Sequence, residues 1–175
     1  HFGQIAVEFY EQVNTLGASE GASAALPRFN HIVTARGMEK IPKHGPLLVV
    51  SNHPGGLDSL GILSCIHRND IKALVSDIKF LHLLDAYQRY FIYVSFEAIG
   101  GMVAIRDAID HLHNGGALFV FAHGEVEPEP ECMSGIIESI AEWKSSLEIM
   151  LRKEPNTKIQ IISASGAILP DFFNS

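Results

Sequence analysis

The sequence predicts one α/β domain: a mostly parallel, mixed sheet flanked by helices, with an amphipathic helix ahead of it. Three observations carry that prediction. Leu47-Leu48-Val49-Val50 is an unbroken apolar run with the length and composition of a strand buried on both faces, as parallel strands are. Short runs of this kind alternate along the chain with segments of helical period, the pattern of helices packed on a parallel sheet. Finally, 175 residues, 47% of them apolar, are enough to bury a real core in one domain.

Taken in order, Ile5, Phe9, Val13 and Leu16 fall on one face of a helix over residues 4–16. Gly17 to Ala25 is rich in Gly, Ser and Ala and reads as a loop, and Phe29 to Arg36 as a short strand ending at Gly37. Residues 1–27 thus form an N-terminal helix and loop and 28–175 the α/β domain, with truncation expected at both ends. Ile41 to Pro46 is a turn. Leu47 to Ser51 is the first buried strand, and Pro54-Gly55-Gly56 leads from it into a helix over 58–67 that Asp58 is placed to cap. Lys72 to Ser76 and Phe91 to Val94 are strands around a helix over 80–90, which carries Phe80, Leu83, Leu84 and Tyr87 on the same side as Phe91. Met102, Ile105, Ile109 and Leu112 define a helix that Asn114-Gly115-Gly116 stops. Ala117 to Ala122 is the next strand. The Pro-rich stretch Glu125–Glu131 suits neither helix nor strand and reads as a solvated loop. Ile136, Ile137, Ile140, Trp143, Leu147 and Leu151 mark one long helix before a last strand at 158–163.

Composition excludes some classes of function. With 20 acidic against 13 basic residues and a formal charge of −7, no basic stripe is available to neutralise phosphates, which excludes nucleic acid as a partner. No apolar run approaches the ~20 residues of a membrane-spanning helix. Cys65 and Cys132 lie far apart without metal-binding spacing and read as buried thiols of a reducing compartment.

In open α/β sheets, ligands bind outside the carboxyl ends of the strands. Two such ends carry titratable groups: His53 and Asp58 beyond the first strand, and His123, Glu125 and Glu127 beyond Ala117–Ala122. A His beside a carboxylate is the simplest general base, because the Asp fixes the tautomer and stabilises the imidazolium that forms. Pro54 stiffens the strand exit, while Gly55 and Gly56 can reverse the chain and leave bare backbone for a substrate. Two other classes draw on the same residues. His53, Asp58, His123 and Glu125 form a mixed N/O set suited to zinc in a hydrolase, without an H-E-x-x-H cluster. His111 and His113, two apart, fall on different faces of their helix and are poor partners for a metal. Ser51 is a third option, but it lacks the G-x-S-x-G elbow of a serine hydrolase.

Val49-Val50-Ser51-Asn52-His53 followed by Asp58 resembles the first signature, N-H-x-x-x-x-D, of the glycerophospholipid acyltransferase family, the lysophosphatidate-acyltransferase-like enzymes. The similarity covers roughly residues 30–168. Gly37 and the Ile41–Pro46 turn resemble the family's lead-in. Leu112 to Gly124 resembles its helix, Gly-Gly, strand and Phe-Pro-Glu-Gly-like block, and Ile161 to Gly166 its last strand.

The resemblance implies a glycerolipid-acyltransferase-like fold and an O-acyltransferase. Such an enzyme passes a fatty acyl group from acyl-CoA or acyl carrier protein to a hydroxyl of a (lyso)phospholipid or glycerol-phosphate-like acceptor, with no acyl-enzyme. It implies His53 as catalytic base and Asp58 as its orienting partner, with Asn52, Gly55, Gly56, Phe121, His123, Gly124 and Glu125 against substrate. It implies no metal or redox cofactor. From the lipid substrates follows a cytoplasmic protein in peripheral contact with the inner face of a membrane, its 4–16 helix covering the acyl-binding side. Two positions depart from the family pattern. His123 stands where the third block usually has Glu, and Phe96 where the second usually has the Arg that holds the acceptor's phosphate, leaving Arg106, Lys79 or Arg89 as substitutes. The alternative function is a thioesterase-like or non-catalytic module that binds lipid or acyl carrier.

Overall fold

The computed structural model describes residues 10–29, 32–95 and 98–166. Within them lie β1 (Leu47–Ser51), β2 (Ile71–Ser76), β3 (Phe91–Val94), β4 (Ala117–Phe121) and β5 (Lys158–Ile162). They form one sheet in the order β3-β2-β4-β1-β5, and the expected mostly parallel sheet is parallel at every pairing. The all-apolar β1 is an inner strand, between β4 and β5, and every one of its residues is buried.

Side chains alternate across a strand, so β1 feeds two cores. Leu47 and Val49 meet Ile71, Ala73 and Phe119 on one face, under α2 (Ala18–Ala25) and α3 (Asp58–Cys65). Leu48 and Val50 meet Ile92, Leu118 and Val120 on the other, under α5 (Ala98–His113) and α7 (Ser146–Lys153). Helices therefore cover both faces, as short parallel crossovers require.

Several local expectations are corrected, each for a physical reason. Residues 18–25, expected as a loop, are helical. Their small side chains are a packing surface, with Ala18, Ala22 and Ala25 buried and Ser19 donating from Oγ to Ile66 O at 2.9 Å. At Gly21 a Cβ would lie 2.5 Å from Val13 Cγ2, so glycine lets α2 close on the preceding helix α1, described over residues 10–16. Residues 4–9 of the expected amphipathic helix lie outside the described residues. Of the expected strand over 29–36, residues 32–35 have no regular structure, and Ile32 is almost fully exposed.

The expected helix over 80–90 is instead a short α4 (Lys79–His82) and a 3₁₀ turn, Asp85–Tyr90. Leu81 O accepts from Leu84 N at 3.2 Å, which tightens the last turn, and from Gln88 Nε2 at 3.0 Å, which ties α4 to the 3₁₀ turn. Phe80 and Leu83, expected on one side with Tyr87, are exposed while Tyr87 is buried. The expected long helix over 136–151 is also broken, into α6 (Ile136–Ala141) and α7. Lys144 N turns away to donate to Ala122 O at 2.9 Å, which pins the break to the end of β4. Cys132, expected to be buried, is exposed, and Cys65 is half-buried.

The amino-terminal pole of the sheet is tied by one buried cation. Arg68 donates from Nη1 to Gly45 O (2.8 Å), from Nη2 to Gly115 O (3.0 Å) and from Nε to Asp70 Oδ1 (2.8 Å). It thus joins the turns that precede β1, β4 and β2. The hydrogen bond from Arg68 holds the Asp70 carboxyl below its ordinary 3.8, against the opposing effect of partial burial. His111 and His113 go to unrelated partners, Ala117 O and Glu154, and share no site.

Candidate active site

β1 ends at Ser51, whose carbonyl takes the last rung of the ladder from Ala122 N at 3.0 Å. Pro54 and the two glycines then turn the chain into α3, which begins at Asp58. Asp58 was expected to cap that helix, but Leu57 occupies the cap position. The Asp58 carboxylate, its side chain 1% exposed, faces back into the turn instead. Its Oδ2 accepts from His53 Nδ1 (2.8 Å) and Gly55 N (3.0 Å), and its Oδ1 from Ser59 N (2.6 Å). An ionised carboxylate only accepts, so a neutral His53 holds its proton on Nδ1 and Nε2 keeps a free lone pair. The ring is 24% exposed, which leaves that nitrogen within reach of a substrate.

Aromatic residues of β4 fix the plane of the imidazole. Phe121 stacks on His53 with centroids 3.9 Å apart and an interplanar angle of 9°, and Phe119 meets Phe121 edge-on at 4.8 Å. The electron-rich face of Phe121 favours the positive charge that His53 would carry after taking a proton.

The expected site residues divide clearly. His53, Asp58, Gly55 and Phe121 come together. Asn52 is buried with both ends of its amide bound to backbone, Nδ2 donating to Ala164 O at 2.9 Å and Oδ1 accepting from Ala164 N at 2.8 Å. It joins the end of β1 to the chain beyond β5. Neither Gly55 nor Gly56 takes a positive φ, and Gly56 faces open space. Gly124 does (φ 83°), in an exposed turn beside Lys144. Glu125 is exposed, and His123 turns Nε2 toward Glu142 at 3.5 Å. Phe96 lies outside the described residues. Of its expected substitutes, Arg89 donates to Val13 O at the far pole, Arg106 is exposed beside Asp107, and Lys79 is exposed beyond the carboxyl end of β2.

The Pro-rich stretch is no solvated loop: Glu127, which the sequence places at a strand end without a role, and Glu129, which it does not single out, are both buried. Glu129 is fully buried and accepts from Gly166 N at 3.0 Å. Glu127 is 4% exposed, and its N donates to His53 O at 2.7 Å while its Oε2 accepts from His53 N at 2.9 Å. The Glu-Pro-Glu-Pro alternation gives no sign of their burial, since it equally fits an exposed acidic turn. A cleft of about 460 Å³ lined by Thr15, Asn69, Lys72, Arg89 and His111 opens at the amino ends of β2 and β3, the pole opposite His53. Among the described residues, no three of His, Cys, Asp and Glu converge as metal ligands would.

The arrangement of strands and helices is similar to that of a solved structure, the crystal structure of the 1-acyl-sn-glycerophosphate (LPA) acyltransferase PlsC from Thermotoga maritima, with a TM-score of 0.57 and 20% sequence identity. The two chains share a fold. The match covers 87% of this chain and 62% of the PlsC chain, so this chain spans under two thirds of that protein's length. No family model and no curated protein matches the sequence.

Proposed function

We propose that this chain is a glycerolipid-type O-acyltransferase in which His53 is the general base and Asp58 orients it. The observation that carries the reading is the His53 Nδ1 to Asp58 Oδ2 hydrogen bond at the carboxyl end of an inner parallel strand, with Nε2 left for substrate. The shared fold with the PlsC structure supports it.

In the proposed step, Nε2 takes the proton of an acceptor hydroxyl as its oxygen attacks the carbonyl carbon of an acyl thioester. The new C–O bond forms, the C–S bond breaks, and the imidazolium returns its proton to the departing thiolate. The acyl group passes directly to the acceptor, from coenzyme A or acyl carrier protein, and the chemistry of this step calls on no metal or redox cofactor. Asp58 holds the tautomer and offsets the transient charge. Gly56 leaves space for the acceptor beside the turn.

No described helix is long and apolar enough to cross a membrane. Exposed Ile78, Phe80 and Leu83 follow the carboxyl end of β2, and exposed Ile99, Met102 and Val103 follow that of β3. These apolar side chains support peripheral contact with a lipid surface on the pole that holds His53; the cytoplasmic face follows only from the lipid substrates that the family resemblance implies.

The test is thioester consumption against a panel of phosphorylated and non-phosphorylated acceptors, with product identification, for the native chain and His53→Ala. Loss of the base should reduce transfer by roughly 10²–10⁴-fold with the fold intact. Full transfer by His53→Ala would overturn the mechanism, and thioester loss without acylated product would make the protein a thioesterase.

A further inference from the structure

We propose that Glu127 is the positioning residue of His53, a clamp on the histidine's backbone whose carboxylate Ser139 and Trp143 hold in place. This deepens the proposed function and rests on His53 being the base.

His53 stands two residues beyond the end of β1, where sheet pairing no longer dictates its backbone. Glu127 takes over that role. Its N–H donates to His53 O at 2.7 Å, and its Oε2 accepts from His53 N at 2.9 Å, so both polar groups of the His53 backbone are bound by one residue. The other oxygen, Oε1, accepts from Ser139 Oγ at 2.8 Å and from Trp143 Nε1 at 3.1 Å. Ser139 lies on α6 and Trp143 just beyond it, at the helix break anchored to Ala122 O. The clamp therefore refers the position of His53 to α6 and the break that follows it.

The chemistry of the set explains why a carboxylate stands here. The His53 N–H and the indole N–H can only donate, and they sit on different oxygens of Glu127. A glutamine, however its amide is turned, would set an NH₂ against one of them. Burial makes that opposition costly and makes the ionised carboxylate the group that satisfies the site. His53 must meet Asp58 through Nδ1 and lie flat on Phe121 at once. A small rotation of its backbone moves Nε2 away from the acceptor, and misplacement by about 1 Å costs on the order of 10²-fold in rate.

The experiment uses the full chain with Glu127→Gln and Trp143→Phe. It follows thermal unfolding, kcat and KM, and the downfield proton resonance of His53 Nδ1–H, assigned by its loss in His53→Ala. Glu127→Gln should shift or broaden that resonance and reduce kcat by about 10²-fold, with KM changed less than about twofold. Trp143→Phe, which removes one outer donor, should move the resonance in the same direction with a smaller loss of kcat. A folded Glu127→Gln with wild-type resonance and kcat would overturn the clamp. If that variant fails to fold, Trp143→Phe decides, and an unmoved resonance rejects the proposal. A native chain that transfers no acyl group refutes the proposed function, while the resonance still reports separately whether Glu127 positions His53.

Discussion

Asp58→Asn replaces one carboxylate oxygen with an NH₂ group at the centre of the site, and its consequences follow from three hydrogen bonds. Oδ2 receives both His53 Nδ1–H and Gly55 N–H, and Oδ1 receives Ser59 N–H. An asparagine has one carbonyl oxygen to offer. With that oxygen at the Oδ2 position, the histidine tautomer survives, but the Ser59 amide faces an NH₂, at a cost of about 1–3 kcal/mol in stability. With the oxygen at Oδ1, the NH₂ opposes Gly55 N–H and donates to Nδ1, which moves the imidazole proton to Nε2 and removes the base. Loss of general-base catalysis is worth roughly 10²–10⁴-fold, or about 2.7–5.5 kcal/mol in the barrier. The expected result is a fall in kcat of that size with KM little altered, measured by thioester consumption and acylated product, alongside a modest fall in the unfolding midpoint. Groups that act as one unit are not additive, so His53→Ala/Asp58→Asn should be no slower than His53→Ala alone. Wild-type kcat in Asp58→Asn, or strictly additive losses in the double variant, would refute the reasoning.

Two further outcomes test the scaffold. Gly21→Ala sets a methyl group 2.5 Å from Val13 Cγ2 and 2.9 Å from Val13 Cα. Because backbone cannot yield as a side-chain tip can, denaturant unfolding should show a loss of about 1–3 kcal/mol, and an unchanged midpoint would reject the close crossing of α1 and α2. The Asp70 carboxyl is held below 3.8 by Arg68, so its contribution to stability is present above that pH and disappears as pH falls through the lowered value. The wild type should therefore melt above Asp70→Asn near neutrality, by a margin that closes below about pH 4. Half the Asp70 side chain is exposed, which keeps the margin small, and one that persists unchanged in acid would mean that the carboxylate is not its source.

Features whose signal is local were legible in the sequence. Leu47–Val50 declared an inner parallel strand because only burial on both faces explains four consecutive apolar side chains there. The helix at 98–113 declared itself by period and by the Asn-Gly-Gly stop, with Gly115 at φ 83°. The pairing of His53 with Asp58 was legible too, since a turn of four residues can bring both onto one spot without help from the rest of the chain.

What the tertiary structure alone decided concerns groups whose meaning depends on distant neighbours. Small residues at 18–25 read as a loop until Val13 and Ile66 are seen to require their smallness. The apolar period across 136–151 is genuine, yet the helix breaks because Ala122 O, far away in sequence, captures the Lys144 amide. Glu127 and Glu129 look like solvated acid in a Pro-rich turn, since burying a carboxylate is unfavourable unless donors surround it, and those donors come from His53, Ser139, Trp143 and Gly166. The sequence by itself therefore determined an inner strand of the sheet and the pairing of His53 with Asp58. Only the folded chain, by bringing together residues up to 74 apart, decided what holds His53 in place.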